Sequence, residues 1–150
     1  MTGFQTSQAQ GYTGRGSGPR AGFWRRFAAA FIDGFLMGVV SIALDLALKG
    51  VGPIVSLLVE AAYFTFLEGG PRGQTLGKSA MGIRVISLAD GQPIGYGRAF
   101  IRFIGRIVST VVILLGYFWM LWDRESQTWH DKFAGAVVVP VSAYPLPIAV

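Results

Sequence analysis

The residues with chemistry to offer are few and unusually placed. Asp33 and Asp45 lie within an apolar run from Phe27 to Leu48, and Glu60 lies inside a second run from Val51 to Leu67. An acidic side chain at the centre of a membrane span costs on the order of 2.5–3.5 kcal/mol, so it persists only with a partner or a task. The task carboxylates perform in that setting is holding a proton or a cation, with a neighbouring arginine lowering the carboxyl pKa. Asp33 and Glu60 are therefore the candidate ion or proton site. Arg26 precedes Asp33 by two turns on the face that also carries Ala29, Ala30 and Met37, which allows a direct or water-bridged pair. Glu60 has a plainer alternative, a buried carboxyl bonded to a hydroxyl such as that of Ser41.

Other chemistries find no support. There is no cysteine, which excludes disulfides, thiol catalysis and zinc–thiolate sites. His130 is the only histidine, so a multi-histidine metal site is excluded, and its neighbour Asp131 has no nucleophile set by a hydrolase motif. The segment Gly73…Gly77-Lys78-Ser79 imitates a phosphate loop, but Arg72 stands where the first glycine belongs and no strand leads in. No metal, cofactor or enzymatic activity is expected. Arg98, Arg102 and Arg106 recur every four residues, with Phe100, Ile101, Phe103, Ile104 and Ile107 on the other faces. This reads as a lipid-facing basic face that grips anionic headgroups where a segment enters the membrane, with a substrate anion as the alternative ligand.

The elements that must position these groups are membrane helices. Phe27 to Leu48 is 22 residues, about enough to cross roughly 30 Å of hydrocarbon at 1.5 Å per residue. Hydrophobic residues make up 52% of the chain and charged residues 14%, against about 25% charged in a soluble domain. The net charge of +5 comes from basic residues beside the apolar runs rather than in one stripe, which argues against nucleic acid as a partner. The expected fold is an all-α membrane protein, a three-transmembrane-helix bundle with spans near 27–48, 51–67 and 103–122. Residues 1–22 should be a disordered Gly/Gln/Ser-rich tail, 23–139 the membrane domain, and 140–150 a second tail. Gln74–Met81 is expected as a short helix, with Ile83–Ser87 and Ala136–Val139 as strands of a small cytoplasmic pair.

The arginines before the first span and after the second place the N-terminus and central loop in the cytoplasm of a multi-pass cell-membrane protein. Pairing of the two strands would require the third apolar segment to turn back, near Ser109 or Gly116, instead of crossing. Lipid-exposed backbone breaks are disfavoured, so three spans are the expectation, with Asp131 across the membrane from Arg26. The partners expected are the lipid bilayer and either a second copy or another membrane protein, since three helices enclose little.

Three blocks in order resemble the RDD family of small bacterial membrane proteins, named for one arginine and two aspartates. They are Arg26-x-x-Ala29-x-x-Ile32-Asp33, Gly73-Gln74-Thr75-Leu76-Gly77-Lys78 with Gly82-Ile83-Arg84-Val85, and Gln127-Thr128-Trp129-His130-Asp131-Lys132-Phe133-Ala134-Gly135. The resemblance covers Phe23 to about Val139. It implies that Arg26, Asp33 and Asp131 are the defining charges and that Gly77 and Lys78 belong to a loop motif. Ser79 stands where a basic residue is common, and Ala136 where threonine is usual. The activity implied is transport of an ion or small ligand, with cation/proton exchange in some members. The alternative is a non-catalytic accessory protein that binds another membrane protein or anionic lipid.

Overall fold

The computed structural model describes residues 18–112 and 115–145. Helices α1 (Phe23–Ala47) and α2 (Gly52–Gly69) form a hairpin, followed by a short helix α3 (Leu76–Ala80) and strand β1 (Ile83–Ser87). Helix α4 (Gly95–Val111), helix α5 (Leu115–Phe118) with a 3-10 turn at Trp119–Leu121, helix α6 (Trp129–Ala134) and strand β2 (Ala136–Pro140) complete the chain. With 25 residues, α1 is about 37 Å long. Among the described residues it is the single helix that is by itself long and apolar enough to cross a bilayer. Gly50, at a φ of 85°, turns the chain into α2, which opens with Pro53 in its first turn, where a missing N–H costs nothing.

The third apolar segment does not form the expected straight span over 103–122. α4 and the α5 segment through Leu121 lie at 113° to each other. The first arm has 17 residues, about 25 Å, too short to cross alone. The fold-back is built into the packing: a Cβ on Gly116 would lie 2.2 Å from Ser109 Oγ. Ser109 itself donates to the Gly105 carbonyl at 2.9 Å.

The return brings β2 antiparallel to β1, with Ile83 opposite Pro140, Val85 opposite Val138 and Ser87 opposite Ala136. This register reveals an internal repeat. Gln74-Thr75 and Gln127-Thr128 are each followed by six residues, a glycine and a five-residue strand. Thr75 and Thr128 both cap the short helix that follows them. Gln74 Nε2 donates to the Ile83 carbonyl at 2.9 Å, and Gln127 Nε2 to the Ala136 carbonyl at 2.8 Å. Gly82 and Gly135 leave the helices at φ of 63° and 59°, a conformation that favours glycine. Arg25 donates to the Met81 carbonyl at 2.7 Å, and Arg98 to the equivalent Ala134 carbonyl at 2.8 Å. The two units are thus related by a local two-fold axis through the Val85–Val138 pair. A helical hairpin precedes each, long and straight for the first (α1–α2), short and bent for the second (α4–α5).

Buried apolar side chains concentrate around this sheet: Ala29, Ile83, Val85, Ile94, Ala99, Ala134, Ala136 and Val138 on one side, Ile86, Val137, Val139 and Tyr144 on the other. The outer faces of the hairpin are open, with Phe35 70% and Leu46 76% exposed. Two expected boundaries shift. Residues 1–17 of the expected N-terminal tail lie outside the described residues, but Ala21 is buried and its N–H donates to the Val138 carbonyl at 2.9 Å. At the other end Pro140 belongs to β2 and Tyr144 is buried against its far face, so the ordered domain runs past 139. In both cases the sheet supplies the partners that an isolated tail would lack.

Candidate functional site: a buried charge network beside a cavity

Asp33 lies on α1 at the level of α3, where a carboxylate can satisfy the free N–H groups of a helix start. Its Oδ1 accepts from the Gly77 N–H at 2.9 Å and from Tyr63 Oη at 2.7 Å; its Oδ2 accepts from Thr75 Oγ1 at 2.5 Å. Gly77 makes this possible, since a Cβ there would lie 2.2 Å from the Ala29 carbonyl oxygen and 2.9 Å from the Asp33 carboxyl. The carboxyl is buried and bonded on both oxygens.

Asp131 is held in a different way. It sits in the first turn of α6, where its carboxylate closes a capping box with Thr128, accepting from the Thr128 N–H at 3.1 Å. The same carboxylate receives Arg26 at 2.5 Å from α1 and Arg102 at 2.5 Å from α4. Arg102 also bonds Glu68 at the end of α2, and Glu68 takes Lys78 at 2.7 Å and Arg106 at 2.9 Å. Arg106 lies over the Phe64 ring, 3.9 Å from its centroid. The result is one continuous chain, Arg26–Asp131–Arg102–Glu68–Lys78 and Arg106, with Arg102 only 1% exposed and both carboxylates fully buried. Burial alone would raise the Asp131 carboxyl, but Arg26 and Arg102 hold it well below the usual carboxylate range. Burial lowers the Lys78 ammonium, with Glu68 pulling the other way. Burial also holds His130 well below its usual value against the opposing pull of Asp131, which keeps the ring neutral. Its Nε2 lies 3.0 Å from Thr128 Oγ1, while Nδ1 is buried with no partner among the described residues.

Several expected placements change. Arg26 pairs with Asp131 and not with Asp33, because the two α1 residues are seven positions apart, about 10 Å along the axis, and α6 and α3 arrive at different levels. The face carrying Arg98, Arg102 and Arg106 turns inward instead of toward lipid. Glu68, Asp131 and the Ala134 and Gly135 carbonyls are its partners, while Phe100, Ile101 and Ile104 on the opposite face are exposed. Asp33 and Glu60 do not share one set of partners. Glu60 meets Ser41 Oγ at 3.4 Å, the hydroxyl anticipated for it, about two turns along α1 from Asp33. Gly77 and Lys78, the loop-motif pair, serve Asp33 and Glu68, in keeping with the rejection of a phosphate loop there. The sequence reading passed over Glu68, Tyr63 and Thr75 as site residues; the repeated Gln-Thr before two equal-length segments was the signal that α3 and α6 are equivalent docking units.

Beside the network lies an open cavity of about 520 Å³. Arg26, Lys78, Arg102, Arg106 and His130 line one end of it, and Phe27, Ala30, Phe31, Gly34, Met37 and Phe118 are among its apolar walls. Asp33 and Glu60 also reach it, whereas Glu68 and Asp131 do not. The acids of the network therefore stand behind the cations, and the cations face the space. The lining comes from both repeats, so the cavity sits at their interface.

A family model described as the RDD family matches residues 20–135. The chain belongs to the RDD family. Within it, the Proline-rich antigen of Mycobacterium leprae is 37% identical over 87 residues, covering 56% of this chain and 35% of that protein. The Proline-rich antigen homolog of Mycobacterium tuberculosis (strain ATCC 25618 / H37Rv) is 32% identical over 97 residues, 61% of this chain and 40% of its own length. This RDD chain thus spans well under half the length of those two relatives. A third relative, the Uncharacterized membrane protein YteJ of Bacillus subtilis, is 29% identical over 140 residues, 83% of each chain. No solved structure matches. Membership and the long apolar α1 make this RDD protein a membrane protein.

Proposed function

We propose that the chain is a multi-pass cell-membrane protein that binds a small organic anion in the cavity between its two repeats, as the receiving site of a transport or handover step. The observation that carries this reading is the polarity of the network: four cations face the cavity while Glu68 and Asp131 are hidden behind them. Arg106 spends one nitrogen on Glu68, and Lys78 one of its three donors, so both keep donors for a ligand. Cation exchange through Asp33 has less support, because its oxygens already accept three hydrogen bonds from Tyr63, Thr75 and Gly77. In this reading Arg26, Asp33 and Asp131 build the site and the cavity cations use it. Contact between Arg26 and Asp131 supports a common side of the membrane for the start of α1 and α6, and the flanking basic residues favour the cytoplasmic side. The exposed outer faces of α1 and α2 then meet lipid, a second copy or another membrane protein.

The test is thermal protection of the purified protein at constant ionic strength by organic anions of rising size and by Na⁺, K⁺ and Ca²⁺. At least one organic anion should protect the wild type. Protection by cations alone, abolished in Asp33→Asn, would overturn the reading and restore the carboxylate site.

A further inference from the structure

The cavity's ends differ in kind. One end is formed by cations and the neutral His130; the rest of the lining is mostly aromatic and small side chains, with Glu60 and the fully bonded Asp33 among them, and its large apolar members Phe27, Phe31 and Phe118 are 54%, 67% and 42% exposed. A compact hydrophilic anion would leave those apolar walls unused and the rim wet. A purely apolar molecule would leave buried guanidinium and ammonium donors without acceptors, which costs more than the contact it gains. A ligand that satisfies both is an amphiphile: an anionic head and an apolar chain. His130 adds a polar, uncharged side chain to the lining beside these cations.

The interior has room for such a molecule. A cavity of about 520 Å³ falls within the roughly 300–1,000 Å³ of sites for small organic ligands. Gly34 and Gly38 line the cavity and are themselves exposed, and a Cβ on either would meet nothing within 4 Å, so α1 offers a strip free of side chains along its open side. Position matters as well: where membrane proteins are built from internal repeats, ligands settle at the interface between them, and this lining is shared between the α1–α2 unit and the α4–α5 unit.

Resting on the proposed anion-binding reading, we infer that the ligand is a single-chain anionic lipid. Its headgroup sits against Lys78, Arg102 and Arg106, and its acyl chain passes Gly34 and leaves between Phe31 and Phe118 toward the bilayer. The lipid enters sideways from the membrane, not from water.

Native mass spectrometry of the full chain, released from a delipidating detergent, tests this with lysophosphatidylglycerol, lysophosphatidylcholine, inorganic phosphate and benzoate as probes. Lysophosphatidylglycerol should form a saturable one-to-one complex at least tenfold tighter than lysophosphatidylcholine. Gly34→Leu, whose side chain enters open space, should abolish it without lowering thermal stability. Arg106→Gln should weaken it about tenfold; Glu68 keeps Lys78 and Arg102 in that variant, so the fold is retained. Equal binding of the two lysolipids, or full binding by Gly34→Leu, overturns the inference. Benzoate or phosphate binding without either lysolipid overturns the inference and leaves the anion-binding reading standing. No binding of any probe overturns both.

Discussion

The two repeats dock the same backbone unit onto the longer helices with opposite charge logic. In the first, a carboxylate reaches out from the helix: Asp33 on α1 receives the cap hydroxyl and an N–H of α3. In the second, the carboxylate belongs to the docked helix, and arginines reach to it: Asp131 on α6 receives Arg26 and Arg102. The first arrangement buries one charge among neutral donors. The second buries charges of both signs in a network whose members depend on one another. Neutral donors can be satisfied by an amide in place of the acid; guanidinium groups cannot. The second unit is thus the more fragile to substitution, and the first the more tolerant.

The sharpest way to break the comparison is Asp131→Ala. It removes the α6 cap and leaves Arg26 and Arg102 buried without their shared partner, a kind of loss that costs about 3–5 kcal/mol. Such a cost consumes much of a small domain's stability. The variant should be nearly absent from membranes in quantitative blots, while Asp131→Glu recovers part of the signal. Normal abundance of Asp131→Ala would mean that the network does not hold the second unit.

Asp33→Asn should do less. The amide oxygen, in the place of Oδ1, still accepts from the Gly77 N–H and Tyr63, and the amide nitrogen in the place of Oδ2 becomes a donor facing Thr75, whose hydroxyl can turn to accept. A loss of about 1–2 kcal/mol is expected, from exchanging charge-assisted bonds for neutral ones. The measurement is the melting temperature of detergent-solubilised protein, which should fall by a few degrees with abundance largely kept. If Asp33→Asn proves as damaging as Asp131→Ala, the two docking modes are equivalent in strength and the contrast fails.

How much of this was legible in the chain depends on the range of the interaction. The long α1, the turn at Gly50, the short helix after Thr75 and both strands follow from local composition and spacing, and Ser41 was already the natural partner for Glu60. The partners of the charges were not legible in the same way. Periodicity shows that Arg98, Arg102 and Arg106 share a face but not which side of the helix the rest of the chain covers. In a membrane the charged face turns inward, toward Glu68 and Asp131, and the apolar face outward. That inversion also decided the third segment. Sixteen uncharged residues from Ile107 to Trp122 read as a span, yet the pairing of β1 with β2 and the docking of α6 on Arg26 and Arg102 require a return. Both requirements are long-range, and the repeated Gln-Thr units were the one local hint of them.

The narrowest effect, confined to acid pH and the most selective for the second unit, comes from His130. It is faced by Arg26 from α1, Arg102 and Arg106 from α4, Tyr117 from α5 and its own neighbour Asp131. Burial is the largest influence on it and keeps its folded-state pKa well below the ordinary value. An unfolded chain therefore takes up a proton that the folded chain refuses. The stability this contributes is fully present above an unfolded pKa of about 6.5 and is lost as pH falls below it, by roughly 1.4 kcal/mol per pH unit. Asp131, whose folded pKa is also depressed, adds a loss only below about pH 4, so the two windows separate. Melting temperatures between pH 7.5 and 5 should thus decline in the wild type and stay nearly flat in His130→Phe, which removes the titrating group and fills its volume. A decline of equal slope in both proteins would assign the pH dependence to groups outside the second unit. A steeper slope in Asp33→Asn than in the wild type would show that the first unit shares the burden, and that the two repeats are coupled through α1.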